Sequence, residues 1–246
     1  MLKNKKLFLL LTVLSGCLLA APAADAQVFN LENIMGTAQF SQNVMLMLSM
    51  AMISLLPFLL MTTTSFLRIV IVLGFVRSAI GTQQTPPSAI IISIALFLTV
   101  YVMTPVWQEI NTVALQPYQA GTITQQAAFE KGIVPLKNFM LRQTREKDLV
   151  LFIEFSKIPP VTDIKEVPLY VLMPAFILSE LTTAFKIAFV IFLPFVVVDM
   201  VVSNVLLSLG MFMLSPVMIS LPFKILLFVL ADGWYLITQG LVQSFL

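Results

Sequence analysis

The chain has 246 residues, of which 59% are hydrophobic and 11% are charged, and its formal net charge is +2. One soluble core cannot bury so much apolar surface, so the composition predicts a membrane protein. The chain has no His, and its single Cys, Cys17, lies within the first twenty residues. This excludes His-liganded metals, Ser-His-Asp and thiol catalysis, and a disulfide framework.

The first 26 residues have the pattern of a cleavable signal peptide. Three lysines within the first six residues precede an apolar run over residues 7–20, and Ala24-Asp25-Ala26 forms a small-residue cleavage site before Gln27. The apolar run has fourteen residues, whereas a retained membrane helix needs about 20. We therefore expect the mature chain to begin at Gln27, which removes three lysines and one aspartate and leaves a net charge of zero.

A second interpretation of the leader is a lipoprotein box, which Leu14-Ser15-Gly16-Cys17 resembles. Cys17 would then be lipidated and would start the mature chain. The sequence after Cys17 stays apolar as far as Ala24 instead of turning polar at once, which favours the signal peptide.

Residues 27–106 predict an N-terminal segment followed by a first helical hairpin. Residues 44–61 carry no charge and are long enough to cross a membrane, and residues 62–80 stay apolar apart from Arg68 and Arg77. The turn-like segment 81–87 follows, and residues 90–106 form a second apolar helix that returns outward. Two basic residues without an acid place the turn on the cytoplasmic side.

Residues 107–167 differ in character and predict a polar insert on the periplasmic side. They hold seven basic and seven acidic residues, and apolar residues at helical spacing indicate a helix within 127–154. Pro159-Pro160 and Val167-Pro168 are expected to break the chain. The fold predicted is thus an all-α membrane protein, in which two long helical hairpins flank a polar, partly helical periplasmic insert.

Residues 168–246 predict the second hairpin, and five charges interrupt its apolar sequence: Glu180, Lys186, Asp199, Lys224 and Asp232. A charge at the centre of a bilayer costs about 2.5–3.5 kcal/mol on insertion scales. Local pairing does not offset this cost. Glu180 and Lys186 point about 120° apart on one helix at 100° per residue, and Lys224 and Asp232 stand about two turns apart. We therefore expect partners on other helices or subunits, with Arg77 and Asp232 at helix ends where they reach water.

Several motifs in the mature chain resemble the FliP family of flagellar type III export gate proteins. The resemblance covers most of the mature chain and is weakest in residues 27–43 and 107–165. The related injectisome branch generally lacks a cleavable leader and varies segment 82–87, so both features favour the flagellar branch. The motifs are residues 65–73 with Arg77, residues 81–87, residues 174–181, Pro194-Phe195 with Asp199, residues 221–224, and Asp232-Gly233-Trp234.

The resemblance implies a homo-oligomer in the bacterial inner membrane, within the flagellar basal body. It implies a closed helical pore built with FliQ-type and FliR-type subunits and joined by FlhB-type and FlhA-type components, through which unfolded flagellar proteins pass. It also implies that the apolar helices are lifted out of the bilayer plane, so that subunit interfaces and a wet lumen satisfy Arg68, Arg77, Glu180, Lys186, Asp199 and Lys224.

Segment 210–216 places flexible Met side chains between a Gly and a Pro that can interrupt a helix. In the family this position resembles a methionine gasket, which implies that Met211, Phe212 and Met213 form the pore constriction. Three consecutive methionines are usual there, and Phe212 replaces the middle one.

Two other functional classes are considered. An ion-coupled secondary transporter would use Glu180, Lys186 and Asp199 as an ion path, but the sequence has no inverted repeat. An intramembrane hydrolase is disfavoured, because the sequence contains neither a G-x-S-x-G nor an H-E-x-x-H motif. The chain also lacks a G-x-x-x-x-G-K-[ST] loop and dense runs of Lys and Arg, so we expect no enzyme activity, no cofactor and no nucleic acid partner.

Overall fold

The computed structural model of the protein describes residues 37–82, 84–156 and 167–245. Cys17, the predicted leader and its cleavage before Gln27 lie outside the described residues. The regular structure of the described residues is entirely helical. The helices are α1 Thr37–Thr63, α2 Phe66–Ile80, α3 Ser88–Ile110, α4 Gln116–Gln119, α5 Gln125–Gln143, α6 Glu146–Ser156, α7 Leu169–Ser208, α8 Pro216–Leu230 and α9 Gly233–Gln243, and a π-helical turn, Asn111–Leu115, joins α3 to α4.

The chain divides into two compact units, Met1–Leu55 and Leu56–Leu246. The described part of the first unit is α1 as far as Leu55, and its long side chains Met45, Met47 and Met50 are exposed. The second unit begins within α1 and holds the remaining helices.

The centre of the second unit is α7, 40 residues long, against which α2, α6 and α8 pack. Buried residues of α2 recur every three or four positions, so α2 presents one apolar face to α7. Ala184 and Ala188 of α7 are fully buried and their small side chains allow a close approach of backbones. The core formed here includes Phe66, Ile69, Val72, Leu73, Val76, Ala184, Phe195 and Phe228.

A second core joins the helices of the polar insert to the N-terminal half of α7. Apolar residues of α5 and α6, including Phe139, Met140 and Leu149, pack against Met103 of α3 and Phe176 of α7. The polar segment therefore shares a core with the apolar helices on either side of it.

The helix that starts at Ser88 does not end near Val106, where the apolar sequence stops, but continues through the π turn to Gln119. Ala114 of the π turn is buried and lies 3.4 Å from the position that a Cβ on Gly132 would occupy. Packing against α5 thus stabilises helical structure in a segment whose composition is polar.

Two described helices, Ser88–Gln119 and Leu169–Ser208, are long and apolar enough to cross a membrane. The number rises to four if two broken helix pairs are each counted as one span, and in the second of these pairs α8 and α9 are bent by 63°. The predicted all-helical fold is thereby confirmed, and the described residues hold two to four candidate spans.

Candidate functional site: paired charges and an exposed turn

A buried ion pair joins α2 to α7. Arg68 is 2% exposed and Glu180 is 0% exposed. The Arg68 guanidinium donates from Nε to Glu180 Oε2 at 2.9 Å and from Nη2 to Glu180 Oε1. This two-point contact is the strong geometry for an Arg and a carboxylate, and it compensates two charges that the core would otherwise leave unpaired.

The remaining hydrogen-bond donors of Arg68 bind other segments. Nη1 donates to the carbonyl oxygen of Ser244 at 2.9 Å and to its Oγ at 3.1 Å, and Nη2 donates to Gln143 Oε1 at 3.0 Å. The guanidinium carbon lies 3.9 Å from the ring centroid of Phe245, a cation–π contact. One side chain of α2 therefore holds together α5, α7 and the residues that follow α9.

A second pair joins α7 to α8. Lys224 Nζ donates to Asp199 Oδ2 at 2.6 Å, and Ser220 Oγ donates to Asp199 Oδ1 at 2.5 Å. Ser220 and Lys224 are four residues apart, so both project from one face of α8 towards the same carboxylate. A cavity of about 440 Å³ beside the pair is lined in part by Arg77 and Thr82.

Arg77 is half-buried at the C-terminal turn of α2. Its Nη1 donates to Ser88 Oγ at 3.0 Å and to the carbonyl oxygen of Pro86 at 3.4 Å. These contacts tie the turn between α2 and α3 to the end of α2, where a positive charge also suits the helix dipole.

A third pair lies in the polar insert, at the start of α6. Arg145 donates from Nε to Asp148 Oδ2 at 2.8 Å, and Ser179 of α7 donates from Oγ to the same oxygen at 2.6 Å. Burial raises the pKa of Asp148, but hydrogen bonds from Ser179 and Arg145 and the charges of Arg145 and Lys147 outweigh it and lower the pKa below its ordinary value of 3.8. Asp148 is thus an ionised anchor for α6 on α7.

Lys186 and Asp232 are exposed, and within the described residues neither makes an ion pair or a side-chain hydrogen bond. Lys186 lies near the middle of α7. Asp232 has φ 50°, in the left-handed region, and stands at the bend between α8 and α9.

The predicted constriction forms a turn between α7 and α8. The N–H of Gly210 donates to the carbonyl of Leu207 at 3.0 Å, and the N–H of Met211 donates to that of Leu206 at 3.0 Å. With φ 74° at Gly210, this is the Schellman ending of a helix, for which Gly suits the left-handed residue. Met211, Phe212 and Met213 follow it and are all exposed, Phe212 to 76%.

The charged residues of the apolar helices stand out in the sequence, whereas most of their neutral partners do not. Ser220 precedes Lys224 by four residues, so helical spacing alone places the two on one face of α8. Gln143, Ser179 and Ser244 carry no signal in the sequence, since each lies in a different segment from the charge that it contacts. Within the described residues no group of three or more His, Cys, Asp or Glu side chains could hold a metal ion.

Known proteins resemble the chain over most of its length. A sequence profile described as the FliP family matches residues 49–241. The flagellar biosynthetic protein FliP of Bacillus subtilis (strain 168) is 51% identical over 205 residues, which cover 83% of this chain and 93% of that protein. The protein of the same name from Caulobacter vibrioides is 43% identical over 244 residues, covering 99% of this chain and 92% of that protein. The protein of that name from Pectobacterium carotovorum is 45% identical over 210 residues, covering 85% and 81%.

Proposed function

Since the chain belongs to the FliP family, we propose that it is a pore-forming subunit of the flagellar protein-export gate in the bacterial inner membrane. The observation that carries the proposal is the match of residues 49–241 to that family, with relatives named for flagellar biosynthesis. Several copies would assemble with FliQ-type and FliR-type subunits, joined by FlhB-type and FlhA-type components, and unfolded flagellar proteins would pass through.

Exposed apolar surface supports assembly in a membrane or with other subunits. The outward faces of α7 and α8 carry large apolar side chains along their length, among them Phe189, Val197, Val201, Phe223 and Leu226. Contiguous apolar surface of this extent marks protein or membrane contacts. Arg68, Glu180 and Lys224 are buried, and the partly exposed Asp199 is paired with Lys224 and Ser220, so each charge beside this surface has a partner in the same chain.

The proposed constriction is the exposed turn with Met211, Phe212 and Met213. A hairpin tip that several copies direct towards a common axis would close the lumen with soft, polarizable side chains. A hydrophobic constriction of this kind blocks ions by dewetting, which depends on the bulk of the side chains. Phe212 is the stiffest of the three and would set the minimum diameter.

The experiment that tests the seal replaces Met211, Phe212 and Met213 together by Ala and measures ion conductance of the assembled gate. We expect conductance to rise above wild type while assembly is retained, because the helices are held by the α2–α7–α8 core rather than by this turn. The matched control replaces the exposed Met45, Met47 and Met50 by Ala and should leave conductance unchanged. A triple variant that assembles and conducts no more than wild type would show that these three residues do not form the constriction.

The proposed topology places residues 107–167 in the periplasm and residues 81–87 on the cytoplasmic side. Single cysteines at Arg145 and Gln84, in a Cys17→Ser background, allow labelling with a reagent that does not cross the inner membrane. We expect position 145 to react in cells whose outer membrane alone is permeable and position 84 to react only after the inner membrane is opened. The opposite result would invert the topology.

A further inference from the structure

Five charges interrupt the apolar sequence of residues 168–246, and the fold pairs all but two of them. Glu180 is bound by Arg68, and Asp199 is bound by Lys224. Lys186 and Asp232 remain, and they are of opposite sign. Within the described residues neither has an ionic partner, although each stands beside exposed apolar side chains.

The two remaining charges stand at the same height on the α7–α8 hairpin. Ser220 and Asp199 both have short side chains, so the hydrogen bond between them shows where the two antiparallel helices lie side by side. Lys186 is thirteen residues before Asp199, about 20 Å along α7, and Asp232 is twelve residues after Ser220, about 18 Å in the same direction. Their heights therefore agree to within a few ångströms.

The surroundings of both residues disfavour an isolated charge. Lys186 lies between Phe185 and Phe189, which are 51% and 66% exposed, on the outward face of α7. Asp232 is followed by Trp234 and Tyr235, both exposed. A surface so rich in apolar side chains is covered by lipid or protein, and a charge within it is expensive unless an opposite charge meets it.

We propose that Lys186 of one copy pairs with Asp232 of the neighbouring copy, and that this contact repeats between successive copies in the assembly. The inference rests on the proposed function, because it requires several copies to stand side by side in the same orientation. In a helical pore with a small axial rise per copy, residues of nearly equal height on neighbouring copies lie close together. The contact is heterologous, because Lys186 of one copy meets Asp232 of the next, and interfaces of this kind build rings or helical assemblies.

Cysteine cross-linking tests the contact directly, because the predicted mature chain has no thiol. Lys186→Cys and Asp232→Cys chains are made separately in a Cys17→Ser background and co-expressed, so that only a contact between copies can yield a mixed disulfide. We expect the mixed dimer on oxidation, and a ladder of higher multimers when one chain carries both cysteines. The control pairs Lys186→Cys with Met218→Cys, an exposed site on α8 about 20 Å away in height, and should give neither.

Charge reversal provides the second measurement. Lys186→Asp and Asp232→Lys should each weaken the homo-oligomer at least about tenfold, since one charge then faces a like charge in a desolvated contact. Combining both reversals should restore the oligomer to within about threefold of wild type. The oligomer is quantified by native mass measurement of detergent-extracted protein.

The outcomes separate the contact from the function on which it rests. A wild-type homo-oligomer that gives no mixed disulfide and is not rescued by the double reversal overturns the pairing and leaves the proposed pore subunit intact. Lys186 would then reach the membrane surface instead of a neighbour. A wild-type chain that forms no homo-oligomer, alone or with its partner subunits, overturns both.

Discussion

Replacing Arg68 by Met removes the positive side of an ion pair that is wholly inside the protein. Glu180 would be left at 0% exposure with no cation among the partners that the structure gives it. Breaking a buried pair from one side costs about 3–5 kcal/mol, because the remaining charge is uncompensated. The variant also removes the donors that bind Gln143 and Ser244. We therefore expect Arg68→Met to lower the free energy of unfolding by at least about 3 kcal/mol.

The double variant Arg68→Met, Glu180→Met separates the charge from the packing. It leaves no buried charge, and apolar replacement of a whole pair is often neutral or stabilising. Here the half-buried Gln143 and Ser244 would still lose the hydrogen bonds from Arg68, at about 0.5–1.5 kcal/mol for each hydrogen bond. We expect the double variant to be more stable than Arg68→Met by about 2 kcal/mol and less stable than wild type.

The assay is unfolding in mixed micelles with increasing SDS fraction, followed by the fluorescence of the two Trp residues. Arg77→Met is the matched control, because Arg77 is half-buried and its hydrogen bonds go to Ser88 and Pro86 rather than to an acid. We expect Arg77→Met to lower the free energy of unfolding by about 1 kcal/mol or less. The ion pair does not stabilise the fold in this way if Arg68→Met is as stable as Arg77→Met. The same conclusion follows if the double variant is no more stable than Arg68→Met.

Three further predictions follow from other sites. Asp148→Asn should lower the free energy of unfolding by about 1–3 kcal/mol at neutral pH. Because the folded-state pKa of Asp148 is depressed, its contribution to stability is present above its ordinary pKa of 3.8 and is lost as the pH falls through the folded-state pKa. The change of the free energy of unfolding with pH below about 4 should therefore be smaller in the variant than in wild type. Gly233→Ala places a Cβ 2.3 Å from the buried Phe228 ring and should cost about 1–3 kcal/mol by thermal unfolding, whereas Gly240→Ala in the same helix meets nothing within 4 Å and should be neutral or stabilising. Equal stability of these two variants would contradict the steric argument. Intact-mass analysis should find a mature chain that begins at Gln27, and a retained Met1 or a lipidated Cys17 would show that the leader was misread.

The helical fold was predictable because long apolar segments leave few alternatives in a membrane. Helical geometry also showed that Glu180 and Lys186 do not pair with each other. It could not identify the partners that the structure shows, since Arg68 and Glu180 are 112 residues apart and Asp199 and Lys224 are 25 apart on different helices. Such pairs depend on how helices pack, and one sequence carries no record of that.

The ends of helices were harder to predict than their existence. The fall in hydropathy after Val106 predicts the start of a separate insert, whereas the helix continues to Gln119, with Ala114 lying 3.4 Å from the position that a Cβ on Gly132 would occupy. Pro105, Pro174 and Pro194 likewise lie inside helices that do not end there. Tertiary packing offsets the hydrogen bond that each Pro removes, and the local sequence does not reveal it.

The partners of Arg68 also set an order of events during synthesis. Glu180 is synthesised 112 residues after Arg68, and Ser244 follows Arg68 by 176 residues. At about 5–20 residues per second, the guanidinium waits roughly 6–22 s for its carboxylate and 9–35 s for its last hydrogen bond. During that interval α2 carries an uncompensated charge, and burying such a charge in an apolar environment costs about 2.5–3.5 kcal/mol on insertion scales. Translation of α7 therefore supplies the carboxylate that offsets the cost of burying Arg68.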